Sequence, residues 1–451
     1  MSSLAFRLLL LTAPLFAYRF AARGANVTAF RIALLLAVSA LLLDHFNRSR
    51  EGTISDTRSS GPLLIPLWLF LLYCVFQTTR SQYDVGVRIL LVTVEGVLTA
   101  TVLVWFARSM KHITSLAAAY AIGAALPSLI GCYQVYGVVL TGSIPPLPLT
   151  DLLAPWLVPY DPTLFGGIHL HMIEGLVFPR VASTLVDANF FGVYVACVLL
   201  CVMGRTASLL LAASKRTVPI VLHGAAIAIG LVVLLFTMSR SAWLGFAVGV
   251  LYFAYHATKS HRETARIRLA IAVVATLALA LIWQVLVLTG FDLPILALSR
   301  AQNFSDSFTP RYDMAAEAMD AFSRNPAFGI GRANLISFTG YPTAHSFYLT
   351  CLAEDGLLGL GIIVIWLGTI WRRGAVLVAH DVDPTTRWVV TGLRSALLAL
   401  LVANILYDHL MTMEVNWVLL GLAAALGRVV PPVSTPPSLP KEGEIPGERT
   451  P

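Results

Sequence analysis

His345 stands in TAHSFYLTCLAEDGLLGLG, immediately before an apolar run. Imidazole is the side chain most readily used as a base near neutral pH. Three arginines keep comparable company. Arg240 lies in FTMSRSAWLGF, between two apolar runs with almost no loop to shelter it, and Ser239 and Ser241 flank it with hydroxyls. An arginine at the edge of hydrocarbon is costly unless it snorkels or meets an anion. Arg311 opens RYDMAAEAMDAFSRNPAFGIG, which reads as an interfacial amphipathic helix. Its Tyr312, Ala315, Met319 and Phe322 face the bilayer surface, Asn325-Pro326 ends it, and Gly329 and Gly331 form a turn. Arg311 is then expected in the N-terminal turn, where free N–H groups and the positive end of the helix dipole suit a phosphate. Arg180 belongs to FPRVASTLVDANFFG, where Asp187 and Asn189 are placed to cap the next apolar run. A base near cations suited to an anion is the chemistry these residues offer.

Weaker constellations carry less. His169 and His171 in GGIHLHMIEG, with Glu174, have metal-ligand character, but two histidines do not make a site, and the segment reads as a strand within a loop. Cys74, Cys132, Cys197, Cys201 and Cys351 all fall in or beside apolar stretches without a CxxC, so they read as small packing residues.

The elements that must position these residues are apolar. The 451 residues are 57% hydrophobic and 12% charged, with 31 Lys+Arg against 24 Asp+Glu, and the mean hydropathy is +0.78. Soluble domains carry about 25% charged residues. So few charges exclude a soluble enzyme, a disordered chain and a nucleic-acid binder, and the continuous apolar runs exclude a β-barrel. The expectation is an all-α, polytopic membrane protein of about twelve spans: Leu4–Tyr18, Val27–Phe46, Leu63–Gln77, Val85–Phe106, Ile113–Val139, Asn189–Met203, Val218–Phe236, Ala242–Tyr255, Leu269–Leu288, Phe347–Ile370, Trp388–Tyr407 and Val415–Leu426. Arg19 and Arg23 stand where a signal peptide would need small neutral residues, so the first span is read as retained.

Basic residues orient these spans. With a cytoplasmic N-terminus, every second loop carries a positive cluster: Arg48, Arg50 and Arg58; Arg108 and Lys111; Arg205, Lys215 and Arg216; Lys259, Arg262, Arg266 and Arg268; and Arg372, Arg373 and Arg387. The C-terminus, with Arg428, Lys441 and Arg449, also falls inside, and the Pro-rich stretch 431–451 reads as disordered. Five spans occupy residues 1–140. Long outer loops follow at 141–180 and 289–346, the second inside a core of 181–430. Arg80, Arg180, Arg240, Arg300, Arg311, Arg324 and Arg332 lie on the outer side, against the bias.

At these residues the sequence resembles the O-antigen ligase and O-antigen polymerase superfamily. FPRVASTLVDANFFG is similar to that family's R-x-S-G-x-x-x-D-x-N segment, with Ala182 and Ser183 replacing Ser-Gly. FTMSRSAWLGF is similar to S-R-x-x-x-L, with Arg240 and Leu244 in place. The third likeness runs from RYDMAAEAMDAFSRNPAFGIGRANL through His345, Tyr348 and Glu354, with Ser346 where Asn is usual. The likeness covers Arg180 to Trp417. It implies a GT-C-like membrane glycosyltransferase of the bacterial inner membrane that uses a glycan on undecaprenyl pyrophosphate at the periplasmic face, without metal or cofactor. It implies that Arg240 and Arg311 bind the pyrophosphate, that Arg180 adds a contact, and that His345 is catalytic. Ser239, Asp187, Asn189, Tyr348 and Glu354 would support them.

The implied reaction suits these side chains. A sugar hydroxyl is a poor nucleophile, and His345 would take its proton as it attacks the anomeric carbon. Negative charge grows on the leaving pyrophosphate, and guanidiniums aimed at it stabilise the transition state. One direct displacement inverts the anomeric configuration. A repeat-unit polymerase is the leading expectation, and a ligase that moves the glycan onto lipid A-core is the alternative. A transporter or lipid flippase comes third: it calls for mid-span charges or paired broken helices, and only Pro127 stands out as a breaker.

Overall fold

The computed structural model describes residues 2–15, 19–22, 25–50, 61–141, 170–173, 176–185, 187–211, 217–259, 304–341, 343–379 and 383–429. The first half holds α1 (Ser2–Thr12), α2 (Ala29–Arg50), α3 (Gly61–Thr79), α4 (Asp84–Phe106), α5 (Met110–Gly123) and α6 (Ala125–Thr141). The second holds α7 (Ala188–Leu211), α8 (Thr217–Phe236), α9 (Arg240–Lys259), α10 (Phe304–Arg324), α11 (Ile336–Thr339), α12 (Phe347–Ala379), α13 (Pro384–Ala403) and α14 (Glu414–Val429). Two antiparallel hairpins join them, β1 (Arg19–Ala22) with β2 (Ala25–Thr28) and β3 (Leu170–Ile173) with β4 (Leu176–Pro179). The second hairpin bears out the strand reading around His171. His169 and Glu174 lie outside the described residues.

The protein is an all-helical polytopic membrane protein, and its described residues account for fewer than the twelve expected spans. Among the described residues eight stretches are long and apolar enough to cross a bilayer: 29–47, 61–79, 84–106, 110–137, 188–211, 218–236, 347–378 and 384–403. The first expected span shrinks to the 11-residue α1, which at about 1.5 Å per residue falls well short of a ~30 Å hydrocarbon core. The last, α14, has 16 residues. The ninth, Leu269–Leu288, lies outside the described residues, as do 142–169 and the stretch from 430 onward. Ile113–Val139 is two helices, α5 and α6. Pro127 has no N–H to offer the carbonyl of Gly123, so the ladder stops there and restarts one residue on.

Helices pack through small residues, as they must where lipid removes the hydrophobic drive between them. On Gly204 of α7 a Cβ would stand 2.6 Å from the Trp388 carbonyl and 2.8 Å from Gly392 Cα of α13. Cys197 on the same helix donates to the Ala396 carbonyl at 3.4 Å, so its thiol serves packing. The outward faces keep their leucines exposed, Leu35, Leu72 and Leu222 among them, which suits lipid contact.

Two mid-span charges depart from the expectation. Glu95, midway along α4, pairs with Arg31 at 2.8 Å. Arg394, midway along α13, lies over the rings of Trp371 at 4.2 Å and Tyr252 at 5.3 Å. A second broken helix is also present, because α12 leaves helical geometry at Gly356 (φ 69°, ψ −169°). The groups freed there are taken up by the chain itself. Ile330 and Gly331 N–H donate to the carbonyls of Ala353 and Glu354, and Leu357 and Leu358 N–H donate to those of Pro326 and Ala327. On Gly356 a Cβ would lie 2.5 Å from Gly329 N, and on Gly329 a Cβ would lie 2.3 Å from the Glu354 carbonyl, so both positions require glycine.

The two ends of the bundle differ. At one end Arg428 Nη1 donates to the carbonyls of Val104 and Trp105, and Arg373 Nη1 to that of Gly427, so cations meet the negative ends of α4 and α14. At the other end lie the starts of α7, α9 and α12 and the ends of α8 and α13, and these bear the residues singled out above.

Candidate active site

Asp187 and Ser239 shape two of the helix starts. The Asp187 carboxylate accepts the N–H of Asn189 at 2.6 Å and of Phe190 at 3.2 Å, an N-cap for α7 as expected. Ser239 caps α9 through the Ala242 N–H at 3.4 Å, and its hydroxyl meets that of Ser241 at 3.1 Å. Arg240 is thereby fixed as the first residue of α9. Arg180 spans the two caps. Its Nε donates to the Thr237 carbonyl at 2.8 Å and its Nη2 to Asn189 Oδ1 at 2.7 Å. It is buried, and its pKa is lowered chiefly by that burial. Asp187 and Tyr407 oppose the shift, and the charges of Arg311 and Arg240 add to it.

Arg311 comes from a different place than expected. Helix α10 begins at Phe304, so Arg311 is its eighth residue and not in the N-terminal turn. The dipole argument therefore fails for it. Its position still serves a common centre, for its charge bears on Arg180, Arg240 and His345 alike. Three guanidiniums repelling one another, with Asp187 the carboxylate acting among them, form a place where an anion is welcome.

His345 completes the group. Its backbone is left-handed (φ 53°), and its ring lies 6.0 Å from that of Tyr407. Burial first and Arg311 second push its pKa below the usual histidine value, while Asp187 acts in the opposite sense. The imidazole is accordingly neutral at pH 7 and free to take a proton. Among the described residues three other non-glycine positions share the left-handed conformation: Ser183 (φ 51°), Met238 (φ 49°) and Ala333 (φ 59°). Each costs about 1–3 kcal/mol, and such residues concentrate at functional sites. Ser183 follows Arg180 by three residues and Met238 precedes Arg240 by two. Ser183 is held from both sides, its N–H by Gln134 Oε1 at 2.8 Å and its hydroxyl by the Pro127 carbonyl at 2.6 Å.

Two further expected residues have partners in the scaffold. Tyr348 donates to the Leu401 carbonyl at 3.0 Å and ties α12 to α13. Glu354 is buried and accepts the Leu335 N–H at 3.3 Å, holding the loop after α10. That loop also contains Arg332, whose guanidinium meets both oxygens of Asp355 at 3.2 Å and Thr93 Oγ1 at 3.2 Å. Arg80 of the α3 end donates to the Phe328 carbonyl at 3.2 Å and the Gly329 carbonyl at 2.9 Å. Arg80 and Arg332, outer arginines by the charge pattern, are thus structural.

Other contributors escaped the sequence reading. Tyr407 donates its hydroxyl to Asp187 Oδ2 at 3.1 Å and touches the rings of Phe190 and His409. The Thr237 carbonyl, a backbone group, holds Arg180. The signal for the first was the run Tyr407-Asp408-His409, three titratable residues at the outer end of an apolar span.

Residues 225–364 match the family model described as O-antigen ligase. The match covers less than half of the chain, and over that stretch it bears out the superfamily resemblance. It contains Ser239, Arg240, Arg311, His345, Tyr348 and Glu354. Arg180, Asp187, Asn189 and Tyr407 lie outside it and are brought to it by the fold. A search of curated proteins returned no match.

Proposed function

On the premise of an O-antigen ligase domain at residues 225–364, we propose that this chain is an inverting glycosyltransferase that moves a glycan from undecaprenyl pyrophosphate to a sugar hydroxyl. It works without metal at the periplasmic face of the bacterial inner membrane, with both termini in the cytoplasm. The observation that carries this reading is the convergence of Arg180, Arg240, Arg311 and His345 at one end of the bundle from four separate stretches of chain. His345 takes the proton of the acceptor hydroxyl, and the arginines receive the charge that grows on the departing pyrophosphate. The apolar outer faces of the helices give a polyprenyl chain its solvent.

Joining repeat units, as a polymerase does, is the leading form of the reaction. Transfer to lipid A-core is the second reading, favoured by the description of the matched family as O-antigen ligase. A knockout separates them by its glycan. Loss of a polymerase leaves single repeat units on the surface. Loss of a ligase leaves long polymer on undecaprenyl pyrophosphate. Unchanged glycan with a transport defect overturns both.

Arg240→Ala and Arg311→Ala each remove a charge-assisted contact of about 1.5–3 kcal/mol. We expect kcat/KM to fall roughly ten- to hundredfold, read with a purified pyrophosphate-linked glycan donor, together with weaker donor binding. An unchanged kcat/KM in both variants removes the pyrophosphate from this site.

A further inference from the structure

Tyr407 belongs to the loop between α13 and α14 and lies beyond the matched domain. It reaches two groups of the site at once. The hydroxyl donates to Asp187 Oδ2 at 3.1 Å, and the ring stands 6.0 Å from the His345 ring at an interplanar angle of 35°. Its loop is itself held firmly. The Phe347 N–H, two residues beyond His345, donates to the Asn404 carbonyl at 3.1 Å. Asn404 Oδ1 accepts the His409 N–H at 3.1 Å, and Asn416 donates to the His409 carbonyl at 2.7 Å. Phe190 at 5.6 Å and His409 at 5.2 Å pack on other parts of the Tyr407 ring. A ring so enclosed has one place to be, and the left-handed backbone of His345 is held against it.

We propose that Tyr407 is a positioning residue for His345: it seats the imidazole and holds the Asp187 carboxylate as countercharge to the imidazolium that forms on proton transfer. This rests on the reading of His345 as base. In that reading the proton leaves the acceptor O–H for the imidazole as the new C–O bond forms and the bond to pyrophosphate breaks. Positive charge appears on the ring at that moment, and Asp187 stabilises it without taking the proton. Among the described residues, Asp187 from the start of α7 and Arg311 from α10 act on His345 through their charges, and Tyr407 from its loop through its ring. Arg180 and His409 stand around Tyr407 and Asp187.

Two isosteric changes push the imidazole in opposite directions. Tyr407→Phe keeps the ring and removes the hydroxyl that occupies Asp187, so the carboxylate acts more strongly on His345 and raises its pKa. The acid limb of the rate profile moves to higher pH. Asp187→Asn keeps an N-cap side chain but removes the charge, so the limb moves to lower pH and kcat falls about tenfold or more. Tyr407→Ala loses the seat altogether, and kcat falls about 10²-fold with KM little changed. The experiment is the pH dependence of kcat and kcat/KM for the wild-type protein and these variants, in the same transfer assay. Limb shifts of opposite sign support the proposal. Limbs that coincide with the wild type, or a Tyr407→Ala loss confined to KM, overturn it. Failure of the parent reading looks different: His345→Ala would then keep its transfer rate, or the wild type would have no acid limb.

Discussion

Alanine at position 345 abolishes glycan transfer, an expected loss of about 10²–10⁴ in kcat, while the protein still inserts and still binds its lipid-linked donor. The separation of the two effects follows from where the charges sit. Under the proposed function, donor affinity comes from the guanidiniums of Arg180, Arg240 and Arg311, and truncating the imidazole also removes a group whose protonated form would repel them. The backbone sharpens the test. His345 holds φ at 53°, a conformation that costs a residue with a Cβ about 1–2 kcal/mol and glycine nothing. His345→Gly is therefore as inactive as His345→Ala yet melts higher in detergent. Transfer that persists in either variant sinks the assignment of the base. Equal melting temperatures would show that no strain is stored at this residue.

The second large effect is on stability. Arg332→Ala strands the Asp355 carboxylate, buried beside Glu354, where the Arg332 guanidinium had met both of its oxygens. Breaking such a pair from one side costs about 3–5 kcal/mol, far more than the pair contributes over an apolar substitute. We expect a strongly lowered melting temperature in detergent and poor yield from membranes. Arg332→Lys does not rescue it, because an ammonium cannot span two oxygens as the planar fork does. Asp355→Asn in the Arg332→Ala background should recover part of the loss by removing the stranded charge. A melting temperature unchanged in Arg332→Ala would mean that water reaches this pair.

The part of the site that the sequence made legible was its misplaced charge. In a chain this poor in ions, Arg180, Arg240, Arg311 and His345 stood out because hydrocarbon penalises each, and the fold brings all four to one end. Charge alone could not separate binding from bracing. Arg80 and Arg332 broke the same bias, and their partners, the Phe328 and Gly329 carbonyls and Asp355, become neighbours only in three dimensions. The run Tyr407-Asp408-His409 was visible, but the hydrogen bond from Tyr407 to an Asp187 that lies 220 positions earlier in the chain was not. The spans were legible wherever an apolar run was long. The break at Pro127 was legible from the proline itself, whereas the break at Gly356 was not, because one glycine interrupts a helix without altering the hydropathy around it. Arg311 was misplaced along its helix because Pro310, just before it, reads as a helix start, whereas the helix begins two turns earlier at Phe304.

The loop seated in the break of α12 acts as a ruler. Surface loops ordinarily tolerate insertions and deletions, and residues 325–331 would pass for such a loop on sequence alone. Here the carbonyls of Pro326 and Ala327 and the amides of Ile330 and Gly331 must meet four fixed partners on one helix. Adding or removing a single residue between Ala327 and Ile330 puts one pair of these bonds out of register with the other. The distance along the chain from the arginine of α10 to the histidine before α12 is thus held by backbone geometry, and length, more than composition, is the property of this segment that selection has to guard.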